Sequence, residues 1–220
     1  MKKEIEKYCK FTLGIVFCAL GIVIILKSQM GLSPWDILNQ GLSETMGITF
    51  GRANTIVGII VIAISLKYKQ PIGSGTLLNL FLVGEFINFF NDILIKMALE
   101  NSSYFIKFPV FLAGVIIFSY GCYLYIKVGL GCGPRDGLLV ALTKKTSYSV
   151  GIIKSFLEAV ALVLGYLLGG QVGIGSIIFT IIVGPIIQFF FKINMVNIKE
   201  IRHRSINEEA KEIFTFLAHK

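Results

Sequence analysis

The sequence predicts an all-α, polytopic membrane protein of about six transmembrane helices in two inverted repeats of three helices each. Three observations carry this. Hydrophobic residues make up 55% of the 220 positions and charged residues 15%, and mean hydropathy is +0.77, which is far from the make-up of a soluble domain. The apolar residues fall in runs separated by short polar breaks, and about 20 residues suffice to cross a hydrocarbon core of ~30 Å. A motif also returns at a fixed offset: GLSPWD at residues 31–36 and GCGPRD at residues 131–136.

The first predicted span covers residues 11–27, behind a basic head with Lys2, Lys3, Lys7 and Lys10. No small-residue cleavage site follows, so it reads as an uncleaved span rather than a signal peptide. Further spans are predicted at 52–67, 73–92, 108–127, 150–168 and 174–192. Between spans one and two, residues 33–47 start like a helix. Ser33 caps, Pro34 suits the first helical position, and Asp36 favours the helix dipole. Residues 133–147 use Gly133, Pro134 and Asp136 in the same places. About four turns cannot cross a bilayer, so each short helix either re-enters the protein or lies along the interface.

Shifting the chain by 100 aligns Gly14 with Gly114, Gly21 with Gly121, Gly51 with Gly151 and Gly84 with Gly184. Pro34 and Asp36 meet Pro134 and Asp136. The match needs no gap over roughly 80 residues, which marks a duplication. Three spans per copy is odd, so the second copy enters from the opposite side, as in many secondary transporters. The bases agree. With six spans, the N-terminus, Lys67, Lys69, Arg135, Lys144, Lys145 and the basic tail fall on one side. The opposite side keeps Lys27, Arg52, Lys96 and Lys107. The positive-inside rule then makes both termini cytoplasmic. It also explains the net charge of +8 without invoking nucleic acid. The resulting organisation is a cytoplasmic N-terminus (1–10), repeat 1 (11–92), an extracytoplasmic linker (93–107), repeat 2 (108–192) and a cytoplasmic amphipathic helical tail (193–220).

The run GLSPWD, then GITFG at residues 47–51, then IGSGTLLNLFLVGEFINFF at residues 72–90, resembles the YczE/YyaS/YitT group of bacterial integral membrane proteins, and most closely its YczE-like branch. The likeness extends through about Lys192 and leaves the tail outside. It implies a multi-pass protein of the bacterial cytoplasmic membrane, and it carries over no catalytic or binding residue.

Candidate site residues come from charge in apolar surroundings. Asp36 and Asp136 either cap their own helices or, with both short helices dipping inward, meet near the pseudo-twofold axis to hold a cation, a proton or a polar substrate. Glu85 and Glu158 sit near span centres, where a charge costs at least ~2.5–3.5 kcal/mol and is expected to face the protein interior. Lys154, one turn before Glu158, can pair with it. Trp35 and Arg135 share one repeat position. Asn79, with Asn54, Asn88 and Gln188, either bonds helix to helix or lines a cavity. The four cysteines form no CxxC pair, and His203 and His219 both lie in the tail, so no metal site, cofactor or enzyme is expected. The function expected is a transporter or channel-like permease for an unidentified small molecule, with proton coupling through membrane carboxylates as one version. The alternative is a membrane regulator or scaffold that holds a cytoplasmic protein through its tail. The small-residue faces suit a homodimer as well as internal packing.

Overall fold

The computed structural model describes residues 2–94, 99 and 102–211. Among them every regular element is a helix: α1 (Lys2–Lys27), α2 (Pro34–Met46), α3 (Phe50–Lys67), α4 (Ser74–Ile93), α5 (Tyr104–Val128), α6 (Pro134–Lys145), α7 (Val150–Leu167) and α8 (Ile174–Ile193). Lys96 of the predicted linker and the tail residues Ile213, Phe214, Phe216 and Leu217 lie outside the described residues.

Among the described residues five helices are both long and apolar enough to span a membrane: Glu4–Lys27, Phe50–Lys67, Tyr104–Val128, Val150–Leu167 and Ile174–Ile193. The third predicted span, α4, has the length at 20 residues but is less apolar. Asn79, Glu85, Asn88, Asn91 and Asp92 dilute its apolar surface. The two short helices form as expected. Ser33 accepts a hydrogen bond from the Asp36 backbone N–H and donates its own hydroxyl to Asp36 Oδ2 at 2.7 Å. Gly47 closes α2 in the left-handed region, with φ 61°, where a side chain would be strained.

The centre of the fold is the contact of α1 with α5. Gly14 lies against Gly121 and Tyr125, and Gly21 lies against Gly114 and Phe118, so the two helices run antiparallel. A Cβ on Gly21 would stand 2.5 Å from the Phe118 backbone nitrogen. Only hydrogen fits there, and the backbones approach accordingly. Cys18 and Cys122 meet in this seam with their sulfurs 3.7 Å apart as free thiols.

The other contacts arrange themselves around this pair. Helix α4 packs on α1, and α8 packs on α5. Helix α2 packs on α7, and α6 packs on α3. The Gly75 N–H donates to the Leu130 carbonyl at 2.8 Å, and the Gly175 N–H donates to the Met30 carbonyl at 2.9 Å. Each helix start is therefore clasped by the loop that precedes the short helix of the other half.

After α8 the chain does not lie loosely on a surface. Residues 194–205 form a strap that returns across the body. Arg204 N–H donates to Gly129 O at 2.9 Å, and Ile206 N–H to Ile72 O at 3.0 Å. The Arg204 guanidinium pairs with Glu4, and Glu209 accepts from the Ser74 N–H at the start of α4. His203 is buried beside Cys132, with Nδ1 3.7 Å from the sulfur. Helix resumes at residues 206–211. The expected amphipathic surface helix is therefore, over its described part, a packed strap, because its polar groups meet loop carbonyls and helix ends.

Two outcomes follow from this packing. Gly21→Val forces α1 from α5, and overpacking of this kind costs about 1–3 kcal/mol. The thermal midpoint in detergent falls, whereas Gly58→Ala, at a position with open space around it, leaves the midpoint in place. The second outcome concerns pH. Burial, with the Lys144 cation nearby, pushes the His203 imidazole down to about 4. The unfolded chain protonates first, near the ordinary value of about 6.5. The contribution of neutral His203 is therefore full above that pH and is lost as pH falls toward 4, by up to about 1.4 kcal/mol per pH unit. Midpoints of wild type and His203→Phe, compared from pH 7 down to 4.5, should differ in slope over that window.

Candidate functional site

Side chains from the first turns of α2 and α6 meet, and α7 adds a buried charge beside them. Lys154 lies on α7 with its side chain 4% exposed, and it bridges two carboxylates. Its Nζ is 3.0 Å from Asp136 Oδ1 and 3.1 Å from Glu158 Oε1. The Tyr125 hydroxyl, from α5, donates to Asp136 Oδ2. Trp35 Nε1, from α2, donates to Glu158 Oε1 at 3.2 Å.

A second, shallower set adjoins the first. Arg135 Nη1 is 3.7 Å from Asp36 Oδ1, and both side chains are about 30% exposed. Arg135 Nη2 donates to Asn54 Oδ1 at 3.0 Å, and Asn39 Nδ2 donates to the same oxygen at 3.0 Å. The Arg135 guanidinium also sits 5.3 Å from the centroid of the Trp35 ring. Trp35 and Arg135 hold the same place in GLSPWD and GCGPRD, 100 positions apart, and they touch each other. Counterparts differ elsewhere. Asn54 corresponds to Lys154, and Gly58 to Glu158, so the halves are chemically unequal.

Two features of this cluster are unusual for a purely structural network. Glu158 Oε2 and Asn39 Oδ1 are buried acceptors without a hydrogen-bond partner among the described residues. An unmet buried acceptor costs about 1–3 kcal/mol. In addition, three carboxylates (Asp36, Asp136 and Glu158) face two cations, Arg135 and Lys154. A proton or a bound cation would balance the cluster. The arrangement is chemically able to hold a positively charged or hydrogen-donating group, or to pass a proton between carboxylates.

Of the seven residues singled out from the sequence, five come together: Trp35, Asp36, Arg135, Asp136 and Glu158. Two stand apart. Asn79 packs its side-chain oxygen against Gly133 at the start of α6. Glu85 is exposed on α4, contrary to the expectation that it faces the interior. The reason is that α4 rests on α1 and buries only Gly75 and Thr76, leaving the flank with Glu85 uncovered. Tyr125 was not singled out, and nothing in YGCYLY distinguishes it from its neighbours. Lys154 was visible only as the partner of Glu158, one turn away. No group of three or more metal-ligating side chains is found among the described residues.

Because Lys154 is the cation paired with two buried carboxylates, Lys154→Met is expected to destabilise by about 3–5 kcal/mol, read as loss of monodisperse protein in detergent. Adding Asp136→Asn and Glu158→Gln to that variant should restore most of the loss. If the triple variant stays as unstable as the single, the charges are not what Lys154 balances.

Comparison with known proteins agrees with this architecture without adding an activity. Residues 5–192 match DUF6198, a family of unknown function. The uncharacterized membrane protein YczE of Bacillus subtilis strain 168 is 32% identical over 86% of this chain and 87% of its own length. An uncharacterized protein of Haemophilus influenzae is 32% identical over 83% of this chain and 84% of its own. The uncharacterized protein YyaS of Bacillus subtilis strain 168 is 26% identical over 85% and 93%. No solved structure matches. The apolar helices, the repeated short-helix motif and these relatives lead to one conclusion: the chain is a helical membrane protein that belongs to the DUF6198 family and is related to YczE.

Proposed function

We propose that this protein is a secondary transporter or channel-like permease for a small polar molecule, not an enzyme, built from two inverted repeats in the bacterial cytoplasmic membrane. The observation that carries the proposal is the meeting of the α2 and α6 N-termini at a buried charged cluster. Short helices that end inside a membrane protein direct backbone dipoles and polar groups at a substrate. The antiparallel seam of α1 with its own repeat counterpart α5 supports the inversion, since counterparts in parallel repeats would run the same way. The basic residues support cytoplasmic termini. Asp136, Lys154 and Glu158 act in this reading as the charge-changing set, with one carboxyl taking a coupling proton. Asp36, Arg135 and Trp35 form the approach to it.

A second reading keeps the membrane body but assigns the activity to the tail, through a cytoplasmic protein partner. The strap favours it in one respect: it ties residues beyond α8 to Glu4, Ile72 and Gly129, so tail and body would move together. Truncation after Lys211 removes the apolar end of the tail and keeps the strap. Loss of a cellular phenotype on that truncation alone supports the regulator.

Two measurements test the transporter. Single cysteines replace Met46, the last residue of α2, and Ser147, in the α6–α7 connection, after removal of the native thiols. Both sites are exposed. In intact cells an impermeant maleimide should label position 46 and should reach position 147 only after lysis. Equal labelling of both removes the inversion. Purified protein is then placed in vesicles that enclose a pH-sensitive dye and is challenged with amino acids, amines, organic acids and sugars. A proton flux dependent on one class, abolished by Glu158→Gln, supports the proposal. No flux with any class in either direction overturns it.

A further inference from the structure

One interface of the second half has no equivalent in the first half. Helices α7 and α8 pack antiparallel through small residues: Gly151 lies on Gly184 and Gln188, and a Cβ on Gly184 would stand 2.2 Å from Gly151 O. Ser149 Oγ donates to Gln188 Oε1 at 2.8 Å, and Ser155 Oγ to Ile181 O at 3.4 Å. The corresponding residues on α3 and α4 are Thr49, Gly51, Thr55, Gly84 and Asn88. They preserve the same small and hydrogen-bonding character. Yet a Cβ added at Gly51 or Gly84 would meet nothing within 4 Å, and both glycines are exposed where Gly151 and Gly184 are buried. A groove of about 500 Å³ lined by Thr49, Gly51, Arg52 and Thr55 opens along this face of α3.

Charge makes the vacant surfaces complementary. Consecutive residues of a helix are turned by 100°, in opposite senses for two antiparallel helices seen from one end. If Gly51 faced Gly84 as Gly151 faces Gly184, residues 52 and 85 would project from the same flank of the pair. Those residues are Arg52 and Glu85. Both are exposed, and neither has an ion-pair partner among the described residues. Their counterparts, Ile152 and Pro185, are exposed and uncharged on that flank of α7–α8. A carboxylate exposed in the middle of a membrane helix calls for a partner, and Arg52 is the cation that this geometry brings to it.

We propose that α3 and α4 close on each other within one chain, through Gly51–Gly84 packing and an Arg52–Glu85 ion pair, and that this contact is the gate of the first half. It alternates with the α7–α8 contact, which is the gate of the second half and is closed in the structure described here. The proposal rests on the inverted-repeat reading but needs no knowledge of the substrate. With the orientation given by the basic residues, the open gate is the extracytoplasmic one. Glu85 then acts as a latch rather than a ligand, which accounts for its absence from the central cluster.

The test uses the full chain in native membranes with the four native cysteines replaced. Thr49→Cys with Asn88→Cys reports the first gate, and Ser149→Cys with Gln188→Cys reports the second. The probe is a mild thiol oxidant, and linked peptides are identified by mass spectrometry. The second pair is expected to link readily, which also shows that the cysteine-free background folds. The first pair is expected to link within one chain. Arg52→Glu should lower its yield about fivefold, the effect of one lost and inverted charge contact. Adding Glu85→Arg should restore the yield. Prior locking of 149 to 188 should suppress the link between 49 and 88. Failure of the first pair to link while the second links overturns the proposal. So does linkage only between copies, seen as a dimer-sized band, which would give the α3 and α4 faces to a second copy instead. The readout requires no transport, so a missing flux leaves this result standing, and a missing link leaves the labelling of positions 46 and 147 unchanged.

Discussion

The close approach of α1 and α5 is the constraint on which the other contacts depend. Lipid offers no hydrophobic drive between helices, so their association rests on fit. Gly14, Gly21, Gly114 and Gly121 leave no room for a Cβ at four points of the seam and let the two backbones approach. The two helices also carry glycines aligned at the 100-residue offset, Gly14 with Gly114 and Gly21 with Gly121. Around this pair α4 packs on α1 and α8 on α5, while α2 packs on α7 and α6 on α3.

The charged cluster is affordable only in that setting. Each buried ion loses several kcal/mol of hydration, which is recovered only through good geometry and further hydrogen bonds. Lys154 meets this condition by touching two carboxylates, and Asp136 by adding the Tyr125 hydroxyl. Glu158 meets it on one oxygen and not on the other. The imbalance is local, and it lies where the two short helices converge. A site that must accept and release a charge has to be incompletely satisfied in at least one of its states.

The helices were legible from sequence because they leave apolar runs of span length, while Gly, Pro and Asp at a constant offset are the sequence mark of the proposed repeat. The caps of α2 were legible for the same local reason. Asp36, Asp136, Glu158, Trp35 and Arg135 were found because charge or an indole in an apolar context is rare enough to notice. Their mutual arrangement was not legible, since it depends on contacts from α2 to α7 and from α5 to α6 that no spacing encodes. Glu85 illustrates the limit. Mid-span position alone suggested the interior, but burial is set by which helix lies opposite, and α4 has a neighbour on one flank only. The strap was missed because its apolar residues suggested a surface helix, while its backbone bonds to Gly129 and Ile72 lie far away in the chain.

The reciprocal clasp at Gly75 and Gly175 has a consequence for biosynthesis. The start of α4 is held by Leu130, and α1 is held by α5, so much of what stabilises the first half lies in the second. During synthesis, the first helices must wait in the bilayer, inserted but unassembled, until residue 130 and beyond have been made. The glycine seam of α1 and the polar flank of α4 are then open to the membrane. Nascent chains that stall before α5 carry these unpaired surfaces as a mark of incompleteness, and arrival of the second half erases it.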